Sequence, residues 1–354
     1  MRRRPKPIFF VLCGFGIFFI SLGIFLLINL SPVDSGNKNK IEVVIDAGTS
    51  TNGMGEILKS KDLIRNELFF LGYIKLNKIN SLKAGVYEFS KDMSFSEIIN
   101  LLKSGSKYNP DEVVITFREG LWIKDYIDVI VKNTNNTKEE VELVFNDLDY
   151  MNTLIDSYWF LEEDILNSEI YYPLEGYLAP NTYHFKNKDV SVSEIIEVML
   201  DQTEEELLPY KTKIEGNVHY YITMASMLEL EGTNSDNKKM IAGVFENRLK
   251  AGDNLGSDVT TYYAFQHPMT SDLTTAMFNE YNPYNTRSVE MRGLMPVGPI
   301  CNPGLESISS AIDNKKNDYL YFVADKHGNI FFTKTYSDHL TKVNEIKNKG
   351  DWIW

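Results

Sequence analysis

The run "IFFVLCGFGIFFISLGIFLLINL", Ile8 to Leu30, constrains this chain more than any other stretch, because it carries no charged residue. About 20 such residues cross a bilayer as a helix. A cleaved signal peptide would have a shorter apolar core and a small-residue cleavage site. Here "SPVDSGNKNK" follows without an A-x-A site, so the run is expected to be a retained anchor. Arg2, Arg3, Arg4 and Lys6 precede it. The positive-inside rule then puts residues 1–7 in the cytoplasm and the chain after Leu30 outside, as a single-pass cell-membrane protein.

The 354 residues give room for two or three domains, and 43% hydrophobic with 12% aromatic content excludes wholesale disorder. Net charge is -13, and the chain beyond its N-terminal cations is more acidic still. That balance repels phosphate backbones and argues against a nucleic-acid partner. Cys13 lies in the apolar run and Cys301 far outside it, which leaves no intramolecular disulfide and no cysteine-rich zinc site.

After a polar linker (31–40) comes "IEVVI", a β-rich run, then "DAGTSTNGMGEILKSKDLI", a turn and a helix started by Ser or Thr. "LKAGVYEFSKDMSFSEIINLLKSG" predicts a strand to Phe89 and a helix capped by Ser94, with Ile98, Ile99, Leu101 and Leu102 at helical spacing and Gly105 ending it. "DEVVITFREGLWIKDYIDVIVKN" repeats the plan of strand, glycine turn and helix. EVVI occurs at both Glu42 and Glu112, a weak hint of duplication. Residues 133–170 read as a polar helical bridge. From Tyr171 aromatics, prolines and glycines become dense. "DYLYFVADKHGNIFFTKTYSDHL" predicts a hairpin turning near 326–329 and a helix from about Ser337.

The chemistry narrows by elimination. The five histidines lack H-x-H or H-E-x-x-H spacing, so no metal site is expected. No G-x-S-x-G elbow and no phosphate-binding glycine loop occurs. Cys301, in "GPICNPG", reads as a small loop residue. Carboxylates and aromatic surface remain, a pairing suited to carbohydrate.

In "YYITMASMLELEG", taken as a helix, Tyr221, Met224, Ala225 and Leu228 form one stripe, which Glu231 continues. Glu229 lies about 200° around from Glu231 and follows Ile222 and Ser226. Glu231 is thus the acid better placed for an apolar setting, and desolvation raises a carboxyl pKa as a general acid needs. Two solvated helix-end glutamates remain the alternative. "YYPLEGYLAPNTYHF" and "GVFENRLKAGDNLGSDVTTYYAF" supply aromatics interleaved with Glu175, Asn181, Thr182, Asn247, Arg248, Asp258 and Thr260.

Together these pieces resemble the endolytic murein transglycosylases of the MltG/YceG type. The matching motifs, in order, are the N-terminal anchor, "LKAGVYEFSKDMSFSEIINLLKSG", "ITFREGLWIKDYIDVI", "YPLEGYLAPNTYHF", "TMASMLELEG", "IAGVFENRLKAGDNLGSDVTTYYA", "YNTRSVEMRGLMPVGPICNPGLESISSAI" and "DYLYFVADKHGNIFFTKTYSDHL". The resemblance implies an α+β protein: a transmembrane helix (8–30), a LysM-like α/β module (41–110), a strand–helix unit with a helical bridge (111–170) and an α+β catalytic domain (171–354). It implies a cofactor-free lytic transglycosylase that cuts the MurNAc–GlcNAc bond of nascent peptidoglycan and leaves a 1,6-anhydromuramyl end. Peptidoglycan synthases and division or elongation proteins are the implied protein partners.

The family motif puts the catalytic glutamate on Glu231, with Glu229 as second choice. It makes Glu175, Tyr177, Asn181, Thr182, Tyr183, Asn247, Arg248, Asp258, Thr260 and Asn285 candidates for holding the glycan. The sequence departs from the family pattern at Val259, in place of a proline, and at Gly232, in place of Thr or Ala. Arg287 stands where an aromatic is frequent, and the 293–299 loop is one residue longer. Two other readings compete: a non-catalytic wall-binding or division scaffold, and a hydrolase using Asp258 as second carboxylate.

Overall fold

The computed structural model describes residues 7–46, 48–79, 81–106 and 108–352, with side chains from Gly14 onward. The chain divides into two compact units, residues 1–111 and 112–354, mixing helices with three separate two-stranded antiparallel sheets.

The first unit opens with α1 (Pro7–Leu30). From Phe15 to Ile28 most of its large apolar side chains stand exposed, and near its end Phe25 meets Phe69 edge-on. Ile8 to Cys13 of the expected span lie outside the described side chains. Among the described residues no helix is long and apolar enough to cross a membrane.

β1 (Lys40–Ile45) follows, then α2 (Thr51–Ser60), α3 (Glu67–Leu76), β2 (Gly85–Ser90) and α4 (Phe95–Ser104). β1 pairs antiparallel with β2, Val43 opposite Tyr87. Strand alternation sends Val43, Ile45, Tyr87 and Phe89 inward, where they meet Leu58, Phe70, Ile98 and Leu102 of the helices. The helix starts are written locally. Ser50 accepts from Gly53 N and Asn66 from Phe69 N, while Ser94 and Glu97 form the reciprocal capping box that opens α4. Gly105 ends α4 at φ +94°, a conformation few other residues adopt without strain.

The second unit runs β3 (Val113–Thr116), α5 (Ile123–Asn133), α6 (Lys138–Phe145), α7 (Leu148–Ser157), β4 (Thr182–Phe185), α8 (Val192–Leu207) and the single turn α9 (Lys211–Ile214). Then come α10 (Val218–Glu231), α11 (Ser235–Ala251), α12 (Asp258–Ala264), α13 (Thr275–Asn279) and α14 (Leu305–Ile312). The hairpin β5 (Tyr321–Ala324) and β6 (Ile330–Thr333) and the helix α15 (Tyr336–Lys349) close it, as the sequence pattern predicts. β3 pairs with β4, reached only after three helices, whereas β1 pairs with the strand after two. The two EVVI units share a local pattern and not a topology. Residues 133–170, read as a bridge, contribute Val141, Phe145, Met151, Leu154 and Ile165 to the same core as α8 and α10.

That core surrounds α10. Val218 and every residue from Ile222 to Leu228 are buried, so this helix has no solvent face along most of its length. A helix apolar on all sides belongs in the middle of a domain. Its last turn is therefore where buried helix meets the surface, and it carries both glutamates.

Candidate active site

Glu231 is the last residue of α10, and Gly232 follows in extended conformation. It is half-buried: packed around on most sides, yet reached by solvent. Ser257 donates its hydroxyl hydrogen to Glu231 Oε1 at 2.6 Å. Ser257 occupies the N-cap position of α12, but its side chain caps nothing there; it is turned to the glutamate instead. A small buried network fixes it. Ser257 N donates to Thr286 Oγ1 at 3.1 Å, Thr260 Oγ1 donates to Ser257 O at 2.7 Å, and the Thr260 and Thr286 hydroxyls are 2.8 Å apart.

Desolvation pushes the Glu231 carboxyl above the ordinary glutamate range, and the negative charge of Asp258 adds to this. The Ser257 hydrogen bond pulls the other way, as do the cations Arg287 and Arg248. Burial wins, because a carboxylate that has lost water recovers too little from one hydroxyl. Asp258 itself is engaged: Arg287 Nε forms an ion pair with its Oδ1, and the Arg287 guanidinium lies 5.0 Å over the Phe278 ring. Arg248 donates through Nε to Leu320 O at 2.6 Å and through Nη1 to Leu255 O, two residues before Ser257.

Glu229 has a different setting. It accepts from Gly304 N at 3.2 Å and from the Ser307 hydroxyl, at the start of α14. The N-cap of α14 is a glycine without a side chain to do this. Lys238, itself buried, stands 3.6 Å from Glu229 and 3.2 Å from Glu306. Gly232 makes that possible, since a Cβ there would come within 2.4 Å of Lys238 Cγ. The departure from the family pattern at Gly232 is thus coupled to the buried lysine. The alternative of two solvated helix-end glutamates fails for Glu229: its side chain is only 11% exposed, because α14 and α11 cover that side of α10.

The other predicted site residues fall into two groups. Arg248, Asp258 and Thr260 surround Glu231 or hold its hydrogen-bond donor. Glu175 is 1% exposed and accepts from Ile123 N, Tyr263 Oη and Asn302 Nδ2 at 2.9 to 3.1 Å. Burial pushes it to about 8. Tyr177 and Tyr183 are core residues, bonded to His219 Nδ1 and Ala179 O. Asn285 is wholly buried, bridging Thr261 to the carbonyls of Met277 and Glu280. Asn247 donates to Asn317 O and Tyr319 O, fastening the approach to β5. Asn181 and Thr182 are exposed at the β3–β4 pair, where the Thr182 and Thr116 hydroxyls meet at 2.8 Å. Cys301 is fully buried beside Ser226 O, a packing residue as expected. Ser257 and Thr286 escaped the sequence reading, although an N-cap serine directly before Asp258 was there to be noticed.

What the geometry brings together is one desolvated carboxyl, one hydroxyl fixed on it, and two guanidiniums nearby. A profile of the YceG-like family matches residues 43–345. The endolytic murein transglycosylase of Bacillus subtilis (strain 168) is 35% identical over 324 residues, spanning 90% of this chain and 87% of that protein. The Streptococcus pneumoniae (serotype 2, strain D39) protein of the same name is 31% identical over 92% of this chain, which spans 61% of that longer protein. A crystal structure of a YceG-like protein from Listeria monocytogenes has a TM-score of 0.60 at 36% identity, over 86% of this chain and 99% of that one. A family match across most of the sequence and a shared α+β fold lead to one conclusion: the chain belongs to the YceG-like family.

Proposed function

We propose that the chain is an endolytic murein transglycosylase in which Glu231 serves as both acid and base. The single observation that carries this reading is the setting of Glu231: a carboxyl raised by burial with the Ser257 hydroxyl on it, while Asp258, the acid whose charge acts on it, is paired with Arg287. Hydrolysis with retention or inversion normally needs two working carboxylates. Lytic cleavage needs one, because the muramyl residue supplies its own nucleophile. Protonated Glu231 gives its proton to the glycosidic oxygen as the C1–O bond breaks. The resulting carboxylate takes the proton of the muramyl O6 hydroxyl as O6 bonds to C1, which closes the 1,6-anhydro ring and restores the acid. No water is consumed and no cofactor is needed. Ser257 holds the carboxyl in one orientation through both steps.

The reading includes a membrane anchor at 8–30, supported by the N-terminal cations and the exposed apolar surface of α1. It also includes a LysM-like role for the β1-α2-α3-β2 arrangement, and nascent strands beside synthases and division or elongation proteins as the working site. Digestion of purified peptidoglycan by the full chain, read by mass spectrometry, tests it. Anhydromuramyl ends from wild type and none from Glu231→Gln are expected. Reducing muramic ends, one water heavier, would transfer the assignment to a hydrolase with Asp258 as partner; no product at all would favour a wall-binding scaffold.

A further inference from the structure

Beside Arg248 stand three rings that the site so far does not use. Tyr321 at the start of β5 stacks on His339 of α15 at 5.5 Å and 30°. His339 stacks on Tyr336 at 6.3 Å and 25°. Tyr336 is 59% exposed, whereas His339 is half-buried beneath it. The Arg248 guanidinium lies 5.3 Å over Tyr321 and is held there by the carbonyls of Leu320 and Leu255. Leu255 belongs to the loop that delivers Ser257 to Glu231. A continuous series of contacts therefore links the ring stack to the catalytic carboxyl: Tyr336, His339, Tyr321, Arg248, the 255–257 loop and Glu231.

We infer that the exposed ring of Tyr336, braced by His339 and Tyr321 with Arg248 over Tyr321, is a binding platform for a pyranose ring of the glycan strand next to the bond that Glu231 cleaves. Sugar rings present apolar C–H faces, and an exposed aromatic ring held in place answers them. The stack is preorganised, since each ring is braced by the next and Arg248 cannot swing away from its two carbonyls. Internal cleavage leaves strand on both sides of Glu231, so a surface displaced from the carboxyl has substrate to hold. The inference rests on the transglycosylase reading for the position of the strand; stacking on the rings can be measured without cleavage.

The test is therefore run in two arms with the full chain. In the first, steady-state cleavage of uncrosslinked glycan strands is compared between wild type and Tyr336→Ala. KM is expected to rise about three- to tenfold with kcat little changed, and Tyr336→Trp to restore KM. In the second, Tyr336→Ala is placed in the Glu231→Gln background and binding of muramyl-glucosaminyl oligosaccharides is titrated, with Kd expected to weaken by the same factor. If KM and Kd both stay at their parental values while circular dichroism shows an intact fold, the platform is only a brace between α15 and β5 and the inference falls. If wild type makes no anhydro product yet Kd still depends on Tyr336, the platform stands and the catalytic reading falls alone.

Discussion

Glu229 and Glu231 leave the same turn of α10 and are met by opposite surroundings. Glu229 faces the N-terminus of α14, where a backbone N–H and the Ser307 hydroxyl donate to it and the buried Lys238 balances its charge. A carboxylate at a helix N-terminus beside an ammonium is a stabilising arrangement. Glu231 has, among the described residues, the Ser257 hydroxyl and no ion-pair partner, and enough packing to push its carboxyl above the ordinary range. The first acid is compensated within the fold; the second is less so. Sequence spacing puts them on different faces, but what separates them is partners, since burial touches both.

The sharpest way to break this contrast is to neutralise each acid in turn. Glu231→Gln is expected to lower anhydromuramyl release by about 10²–10⁴-fold, the usual worth of a positioned acid–base group. Its fold should not suffer. A carboxyl whose folded pKa lies above its unfolded value contributes stability below the unfolded pKa and loses it as pH rises through the folded one. Near neutral pH the Gln variant should therefore unfold at equal or higher denaturant than wild type. A variant that is both inactive and clearly destabilised would mean Glu231 is structural after all.

Glu229→Gln should do the reverse. It leaves buried Lys238 with Glu306 at 3.2 Å and the charge of Glu119 nearby, and breaking a buried pair on one side costs about 3 kcal/mol. A lower midpoint in urea is expected, with activity per folded molecule within a few-fold of wild type. Loss of chemistry at unchanged stability would exchange the roles of the two acids. Restoring stability by Lys238→Met in the Glu229→Gln background would show that the stranded ammonium, not the lost hydrogen bonds, is the main cost.

How far the sequence reaches depends on how local the cause is. The capping box at Ser94 and Glu97, the glycine stop at Gly105 and the hairpin around Asp325–Asn329 are settled within a few residues, and each is legible. Glu175, Tyr177, Tyr183 and Asn285 are groove candidates through a motif, which names positions and not the partners that bury them. Their partners lie elsewhere in the chain: Glu175 is satisfied by Ile123, Tyr263 and Asn302, and Tyr177 by His219. No spacing rule reaches across such separations. For the same reason the sequence does not single out Ser257, and only the fold shows its hydroxyl turned to Glu231.

The two groups that restrain Glu231 give finer tests. Ser257→Ala removes the hydrogen bond that favours the charged form, so the Glu231 pKa should rise further. A general acid works while protonated, so the alkaline fall in rate moves to higher pH, while kcat drops up to about tenfold from lost orientation. Arg287→Met is the smaller change. It withdraws a cation that holds the Glu231 pKa down and also releases Asp258, whose charge pushes it up. Both effects have one sign, and the alkaline limb should again move upward. The side chain is 40% exposed, and exposed pairs are worth about 0–1 kcal/mol, so the rate at the optimum should change by no more than a few-fold. High salt should erase this shift but leave that of Ser257→Ala in place, because a mobile surface charge is screened and a hydrogen bond is not. A limb that stays put in Arg287→Met at low salt would mean that neither Arg287 nor Asp258 bears on Glu231, leaving the balance there to burial, Ser257 and Arg248.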